Sequence, residues 1–312
     1  MGRTTFLTTV ALCLITACFY SCKNNNNNVV DSGEIYIITT PEQLDAMRDN
    51  LSANYKLGAS IDLEEYLAYG GAGYAKWGEE GWEPVSTFTG SLDGAGYKIT
   101  GLWIDRPSSD NVGLFGYINN AAIKNFGIES AMRGVKGKYH VGGMAGFVNK
   151  GSTITDCYVI GIVKGHSYIG SIAGTVEKGS IITNCYVAGV VRGNSYLGGV
   201  AGFINKSSIT NCVALNDEVT ALRSTRYLGR VVGFKVTNNN NTLANNWANR
   251  YMEVTAVGVM KTFNAYSDKV DGRDCTSYPI TAWWTIDAPN GAGWSSDVWT
   301  FTGGQLPKLQ YE

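Results

Sequence analysis

Four tyrosines recur at intervals of 28 to 31 residues, and this spacing makes them the first candidates for ligand chemistry. They are Tyr139, Tyr168, Tyr196 and Tyr227. Two cations, Lys164 and Arg192, repeat at a similar interval. A row of aromatic rings beside positive charges could hold an extended or anionic glycan through ring stacking and charge. The alternative is that the tyrosines stack for packing and the cations keep the protein soluble.

Further basic residues repeat with nearly the same period. Lys150, Lys178 and Lys206 form one row, and Lys136, Lys164, Arg192 and Arg223 approximate a second. Lysines at turns commonly keep strand edges soluble, so solubility is the ordinary interpretation of each row taken singly. Only their combination with the tyrosines favours a ligand.

Catalytic chemistry has few residues to use. The acids are densest before the repeats, where a solvated acidic surface is the expected role: Asp62, Glu64, Glu65, Glu79, Glu80 and Glu83. Within the repeats Asp156 and Glu177 are isolated, although glycosidases need paired carboxylates. The chain has two histidines, His140 and His166, and no His-Glu-x-x-His motif. We therefore predict no enzymatic activity, no cofactor and no metal site, with a polysaccharide-degrading β-helix enzyme as the remaining catalytic alternative.

The elements that must position these residues follow from internal repeats. Segments 138–165 and 166–193 align almost without gaps, a third copy begins at Asn194, and weaker copies begin at Asn111 and Arg226. Each copy holds short β-branched runs separated by Gly or Asn-Lys-Gly turns. One unit cannot bury its apolar side alone, so successive units must stack about 4.8 Å apart. The sequence predicts an all-β, right-handed parallel β-helix, or β-solenoid.

Stacking places equivalent residues of successive coils above one another. Cys157, Cys185 and Cys212 share one position, with Phe126 one coil earlier. An odd number of stacked cysteines suits buried free thiols better than disulfides. The residue before each belongs to a second row, in which amides can bond from coil to coil and tolerate left-handed backbone: Asn125, Asp156, Asn184, Asn211 and Asn245. Cys275 is assigned no role.

The two ends of the solenoid need closing segments. Thr40, Pro41 and Gln43 have the pattern of a capping box, which predicts a short helix over 41–52 at the N-terminal end. A tryptophan-rich tail is predicted to close the other end: Trp283, Trp284, Trp294 and Trp299. We therefore expect a single solenoid domain over 35–312, with entry coils 35–107, repeats 108–250 and a closing segment 251–312.

The first 22 residues have the features of a targeting segment. An apolar stretch over 6–17 follows Arg3 and is too short to span a bilayer as a helix. It ends at Cys18 in a pattern that resembles the bacterial lipobox, with Cys22 as a second candidate for acylation and an ordinary secretion signal as the alternative. Residues 23–34 are asparagine-rich and predict a flexible tether. The expected location is the outer membrane, through a lipid anchor, at the cell surface or on the periplasmic face.

Several separated motifs resemble one family. They are Tyr168-Ile169-Gly170-Ser171-Ile172-Ala173-Gly174, Tyr196-Leu197-Gly198-Gly199-Val200-Ala201-Gly202, Trp82-Glu83-Pro84-Val85 and Leu306-Pro307-Lys308-Leu309. The first two are similar to the GLUG repeat of exported Bacteroidetes proteins and of the N-terminal regions of IgA-cleaving metallopeptidases. The resemblance implies fold and export, without the peptidase domain, and no single activity.

These observations favour a non-catalytic, envelope-anchored adhesin or glycan-binding scaffold. A structural spacer that binds another envelope protein is the alternative. With a formal net charge of −1, the chain has no overall positive field with which to attract nucleic acid.

Overall fold

The computed structural model describes residues 33–223, 226–262, 270–276, 279, 281–287 and 290–310. The contacts of the chain separate Met1–Gly33 from Glu34–Glu312, and the fold described below is that of Glu34–Glu312. The predicted acylation sites Cys18 and Cys22, and the tether through residue 32, lie outside the described residues.

The entry part contains short helices between its strands. In chain order its elements are β1 (Ile35–Ile38), α1 (Pro41–Asp45), β2 (Asn54–Leu57), β3 (Ile61–Asp62), α2 (Glu64–Leu67), α3 (Ala72–Trp77), β4 (Ser91–Asp93) and β5 (Lys98–Asp105). Two 3₁₀ turns cover Ala46–Asp49 and Gly78–Glu80.

The repeats consist of strands. They are β6 (Phe115–Asn119), β7 (Ala122–Lys124), β8 (Gly127–Lys136), β9 (Tyr139–Val141), β10 (Ala145–Asn149), β11 (Thr153–Thr155), β12 (Tyr158–Lys164), β13 (Ser167–Ile169), β14 (Ala173–Glu177), β15 (Ile181–Thr183), β16 (Tyr186–Gly193), β17 (Ser195–Gly198), β18 (Ala201–Asn205), β19 (Ser208–Thr210), β20 (Val213–Ala221), β21 (Leu228–Gly229), β22 (Val232–Lys235), β23 (Thr242–Ala244) and β24 (Trp247–Asn249). The last part contains β25 (Glu253–Ala256), β26 (Val259–Met260), β27 (Arg273–Cys275), α4 (Thr281–Thr285), β28 (Trp299–Thr300) and β29 (Lys308–Leu309).

These strands form the predicted right-handed parallel β-helix. Sheet A runs β1-β2-β4-β7-β11-β15-β19-β23, sheet C runs β6-β10-β14-β18-β22, and sheet D runs β9-β13-β17-β21. Sheet B runs β3-β5-β8-β12-β16-β20-β25-β26, with β24 and β27 attached at its C-terminal end. Each strand pairs with its equivalent one coil later, as Tyr158 pairs with Tyr186. The side chains between the sheets form one continuous buried core.

Both predicted internal rows are confirmed. Cys157, Cys185 and Cys212 are free thiols with no exposed surface. Burial raises the pKa of the Cys185 thiol well above its usual value, and the adjacent thiols act in the same direction. The buried cysteines therefore act as small apolar side chains of the core rather than as reactive thiols.

The asparagine row forms a hydrogen-bonded ladder. Asn184 Nδ2 donates to Asp156 Oδ1 at 3.1 Å, Asn211 to Asn184 at 3.3 Å, and Asn245 to Asn211 at 2.9 Å. All five residues have left-handed backbone, with φ between 52° and 59°. Asn tolerates this conformation and its amide both donates and accepts, which explains the residue type at this turn.

The N-terminal helix is confirmed in a shorter form than 41–52. The α-helix ends at Asp45 and continues as the 3₁₀ turn Ala46–Asp49. Thr40 Oγ1 accepts from the backbone N–H of Gln43 at 3.3 Å, while Gln43 Oε1 accepts from the backbone N–H of Thr39 at 2.7 Å. The capping box thus closes one residue earlier than its usual form.

The prediction for the tryptophan-rich tail is wrong. Trp284, Trp294 and Trp299 pack against Tyr158 and Tyr186 on the outer side of sheet B, and they do not close the end of the solenoid. Trp294 Nε1 donates to the Asn211 carbonyl at 2.9 Å, and Tyr186 Oη donates to the Pro307 carbonyl at 2.9 Å. The repeats expose large apolar side chains along this outer face, and the tail buries them.

The last coil is extended by residues 270–275 instead. Strand β27 pairs with β24 in parallel. The buried Arg230 guanidinium donates to the carbonyls of Asp271 and Gly272 and forms an ion pair with Asp274 Oδ1 at 2.5 Å. Cys275 is free and buried at the end of this strand.

Candidate functional site

The strand register corrects the predicted tyrosine row at its first member. Ser167 pairs with Tyr139 and Ile169 pairs with Val141, so the residue level with Tyr168 is His140. Tyr139 lies one position earlier, where its ring contacts His166. The signal was present in the aligned repeats, where 138–165 and 166–193 already place Tyr139 beside Ser167. We call His140, Tyr168, Tyr196 and Tyr227 the aromatic ladder.

The rings of the aromatic ladder stack nearly parallel. The centroids of His140 and Tyr168 are 4.8 Å apart at 14°, those of Tyr168 and Tyr196 are 4.5 Å apart at 22°, and those of Tyr196 and Tyr227 are 4.4 Å apart at 15°. All four side chains are partly exposed. Because each ring covers the face of the next, the ladder offers solvent ring edges and phenolic hydroxyls rather than open faces.

The backbone of the ladder is left-handed. Its φ values are 55° at His140, 63° at Tyr168, 57° at Tyr196 and 60° at Tyr227. This region costs a residue with a Cβ about 1–2 kcal/mol and is uncommon for bulky side chains. Stacking returns about 0.5–1.5 kcal/mol for each pair of rings. One coil earlier the same position is Asn111, at φ 56°.

A glycine one coil later makes room for this backbone. A Cβ at Gly202 would lie 2.3 Å from the backbone nitrogen of Ile169 and 2.6 Å from the carbonyl carbon of Tyr168. Gly233 has the same relation to Tyr196. The recurring Ala-Gly pair of the repeat is therefore required by the close approach of two backbones.

A second aromatic row flanks the ladder on sheet C. It contains Tyr117, Phe147, Phe203 and Phe234 at equivalent positions, with Thr175 in the remaining coil. Phe203 meets Tyr168 edge-on at 5.7 Å and 86°. Together the two rows form a partly exposed aromatic face across sheets C and D, which we call the ladder face.

Thr175 interrupts the row because His140 occupies the adjoining space. The Thr175 hydroxyl is buried and lies 2.8 Å from His140 Nδ1. Burial lowers the pKa of His140, and the Asp110 carboxylate opposes that shift. The neutral imidazole is therefore the form that the folded protein prefers.

The predicted cations lie on sheet B, four residues before the ladder positions. Lys164 is in register with Lys136 and Arg192. Arg223 does not belong to this row, because the residue level with Arg192 is Thr220. The repeat slips there through a register shift between Gly189 and Val190.

Part of this positive charge is neutralised. Arg192 forms two hydrogen bonds with Glu218, at 2.9 and 2.6 Å. Lys136 Nζ lies 2.9 Å from Asp105 Oδ1. The other basic row is exposed at left-handed turn positions, as expected of solubilising lysines: Lys150, Lys178 and Lys206.

Among the described residues, no group of three or more His, Cys, Asp or Glu side chains could hold a metal ion. No helix in the described ranges is long and apolar enough to cross a membrane.

Two proteins share sequence with part of this chain. A candidate Gly-rich membrane protein of Evansella cellulosilytica is 34% identical over 127 residues, which are 37% of this chain and 14% of that protein. Halomucin of Haloquadratum walsbyi is 34% identical over 126 residues, which are 36% of this chain and 1% of that protein. The chain thus spans a small part of the length of either relative. No protein-family model matches it.

A solved structure has a similar fold. It is a candidate immunoglobulin A1 protease of Bacteroides ovatus, with a TM-score of 0.59 and 20% identity. The match covers 90% of this chain and 94% of that chain. The likeness confirms the β-helix expected from the repeats.

Proposed function

We propose that this chain is a non-catalytic protein of the cell envelope that binds an extended glycan through its ladder face. The observation that carries the proposal is the aromatic ladder itself. Four successive coils place a bulky ring in left-handed backbone, although Asn111 fills the same position one coil earlier without one. Residues in sparsely populated backbone regions cluster at binding and catalytic surfaces, where the surrounding structure holds them in place.

The stacked geometry determines how such a glycan would bind. Sugar rings cannot stack on ring faces that neighbouring aromatics already cover. The phenolic hydroxyls of Tyr168, Tyr196 and Tyr227 can instead exchange hydrogen bonds with a chain that runs across the coils. Lys164 lies on the adjoining sheet and would favour an anionic glycan.

Anchoring at the envelope, through Cys18 or Cys22, forms the second part of the proposal. The membrane-protein name of the Evansella relative supports this location.

A glycan array tests the proposal, with the purified full chain at two salt concentrations. Tyr168→Asn and Tyr196→Asn together should abolish binding, because Asn suits the left-handed backbone but removes both rings. Tyr139→Asn, next to the ladder but outside it, is the matched control and should bind normally. Binding of an anionic glycan that survives the double substitution contradicts the proposal.

A structural spacer is the second candidate, favoured by strand β1. This strand lies at the edge of sheet A and exposes Ile35, Tyr36 and Ile37 by 56%, 43% and 53%. Exposed apolar edge strands pair readily with another chain. A protein captured in an Ile35- and Ile37-dependent manner, together with an empty glycan array, would favour this role.

A further inference from the structure

Sheet B carries a groove at its N-terminal end that the sequence repeats do not produce. Helices α2 and α3 project beside the outer face of β5 and β8, and leave a concavity of about 690 Å³. Gly101, at φ 71°, lets α2 approach, because a Cβ there would lie 2.7 Å from the backbone nitrogen of Glu64. The volume lies within the usual range for small-ligand sites, about 300–1,000 Å³. We call this concavity the sheet B groove.

Open aromatic faces distinguish the groove from the aromatic ladder. The Tyr69 side chain is 88% exposed and meets Tyr74 edge-on, at 5.2 Å and 65°. An edge-on contact leaves ring surface free, which parallel stacking does not. Met132 is 94% exposed on the same groove lining. Large apolar side chains gathered around a concave site, rather than scattered singly, indicate a binding surface.

The polar groups of the groove are held in place by one another. Tyr74 Oη donates to Glu79 Oε1 at 2.9 Å, and Arg133 Nη1 lies 3.6 Å from Glu79 Oε2. The Arg133 guanidinium lies over the Trp103 ring, 4.5 Å from its centroid. Carboxylate acceptors beside a guanidinium donor form the arrangement that recognises neighbouring hydroxyl groups.

The charge of the lining selects among glycans. Glu64, Glu79 and Glu129 contribute three carboxylates to the lining. Arg133 and Lys98 pair with two of them, Glu79 and Glu129, which leaves a net negative charge. An anionic ligand would be repelled, whereas hydroxyl or ammonium groups would find acceptors.

One carboxylate of the groove also faces the C-terminal segment. Glu129 also lines a second concavity of about 380 Å³, between Tyr158 and Pro307. Tyr158 Oη donates to Glu129 Oε1 at 3.1 Å, and Lys98 pairs with the same oxygen at 3.1 Å. Tyr158 and Lys98 therefore hold the Glu129 carboxylate in place at the wall of the groove.

We infer that the sheet B groove is a second saccharide site, which binds a neutral or amine-bearing oligosaccharide by stacking on Tyr69 and by hydrogen bonds to Glu79 and Arg133. It is independent of the ladder face and has the opposite charge preference.

Isothermal titration of the full chain tests this inference with three hexasaccharides: cellohexaose, a chitosan hexamer and an oligogalacturonate. We expect binding of the first two and none of the oligogalacturonate. Tyr69→Ala should weaken binding at least about tenfold, since an aromatic contact in a site contributes on the order of 1.5 kcal/mol. Glu79→Gln should weaken the chitosan hexamer more than cellohexaose, because it removes charge but keeps an acceptor for Tyr74.

Two control variants show whether the saccharide binds in the groove or elsewhere on the surface. Tyr251 is also strongly exposed, at 69%, so Tyr251→Ala matches Tyr69→Ala in chemistry and should change nothing. Tyr196→Gly disrupts the ladder and should leave the groove affinity intact. Absence of binding to the neutral and amine-bearing probes, insensitivity to Tyr69→Ala, or preference for oligogalacturonate would each overturn the inference. A protein ligand lost in Tyr69→Ala, without saccharide binding, would overturn it as well.

Discussion

The ladder face and the sheet B groove place aromatic residues on the same solenoid in opposite ways. On the ladder face, equal residues repeat in each coil, so Tyr168 and Tyr196 cover each other at 4.5 Å. In the groove, Tyr69 belongs to a segment that occurs once, and its ring remains 88% exposed. Repetition therefore yields a regular row of ring edges, whereas a single inserted segment yields concavity and open ring faces.

The outer face of sheet B shows the same contrast at its other end. Tyr158 and Tyr186 stack at 4.9 Å as repeated residues, and the C-terminal tryptophans then bury them. Helices α2 and α3 at one end and the C-terminal segment at the other thus both pack on the outer face of sheet B, which would otherwise be flat. The ladder face has no such covering among the described residues.

The largest expected effect comes from breaking the repeated face at its backbone. Gly202→Val should lower the free energy of unfolding by about 3 kcal/mol, because its Cβ would meet the backbone of the preceding coil. Urea unfolding measures the change. Gly179→Asn is the control, since Gly179 has φ 82° and open space around it, and should lose less than about 1 kcal/mol. Equal losses in both would refute the close-approach argument.

Two substitutions at Tyr196 separate the stabilising effect of ring stacking from the cost of the left-handed backbone. Tyr196→Ala should lose about 2 kcal/mol, since contacts with Tyr168 and Tyr227 disappear while the left-handed φ remains. Tyr196→Gly should be more stable than Tyr196→Ala by about 1 kcal/mol, because glycine adopts this φ freely. Thermal and urea unfolding of Tyr196→Ala and Tyr196→Gly measure the difference in stability between the two variants. A less stable glycine variant would show that the backbone is not strained.

The asparagine ladder contains one imperfect rung. Asn125 Oδ1 is buried and lacks a hydrogen-bond partner, because the next rung is Asp156 rather than an amide donor. Asp156→Asn should stabilise the protein by about 1 kcal/mol at neutral pH, as measured by urea unfolding. Asn184→Asp, which introduces a second carboxylate rung, should destabilise it.

Asp156 also predicts a direction of pH dependence. Burial raises the pKa of this carboxyl, with the Asn184 amide acting in the opposite direction. The folded protein therefore keeps the proton longer than the unfolded chain, whose Asp pKa is about 3.9. The contribution of Asp156 to the free energy of unfolding is therefore fully present below about pH 3.9, and it is lost as pH rises through the raised pKa. Asp156→Asn should remove this slope, and an unchanged slope would contradict the assignment.

The smallest expected effect concerns His140, the one ladder member that is not tyrosine. Its pKa is lowered by burial, against the opposing charge of Asp110, while the unfolded value is about 6.5. The contribution of His140 to the free energy of unfolding is therefore fully present above about pH 6.5, and it is lost as acidification protonates the buried ring. His140→Tyr, the residue of the next coils, should flatten the pH dependence of unfolding between about pH 7 and 5. An unchanged pH dependence in His140→Tyr would contradict this assignment.

Sequence alone determined much of this molecule, because residues that lie one repeat apart in the chain become neighbours in adjacent coils of a solenoid. The repeats predicted the parallel β-helix, the buried free cysteines and the asparagine ladder, since each depends only on what lies one period away. Even the correct ladder member, His140 rather than Tyr139, could be read from the aligned repeats.

Only the tertiary structure decided what the non-repeated segments do. The tail tryptophans were expected at the end of the solenoid, but they pack laterally on Tyr158 and Tyr186. Likewise, Glu64 and Glu79 are exposed, as expected of solvated acids, but only the fold gathers them with Tyr69 and Arg133 in one groove. Such placements depend on how helices α2 and α3 and the C-terminal segment dock on sheet B. This docking depends on complementary surfaces formed by residues that are distant in the chain. The periodicity of the sequence therefore does not predict it.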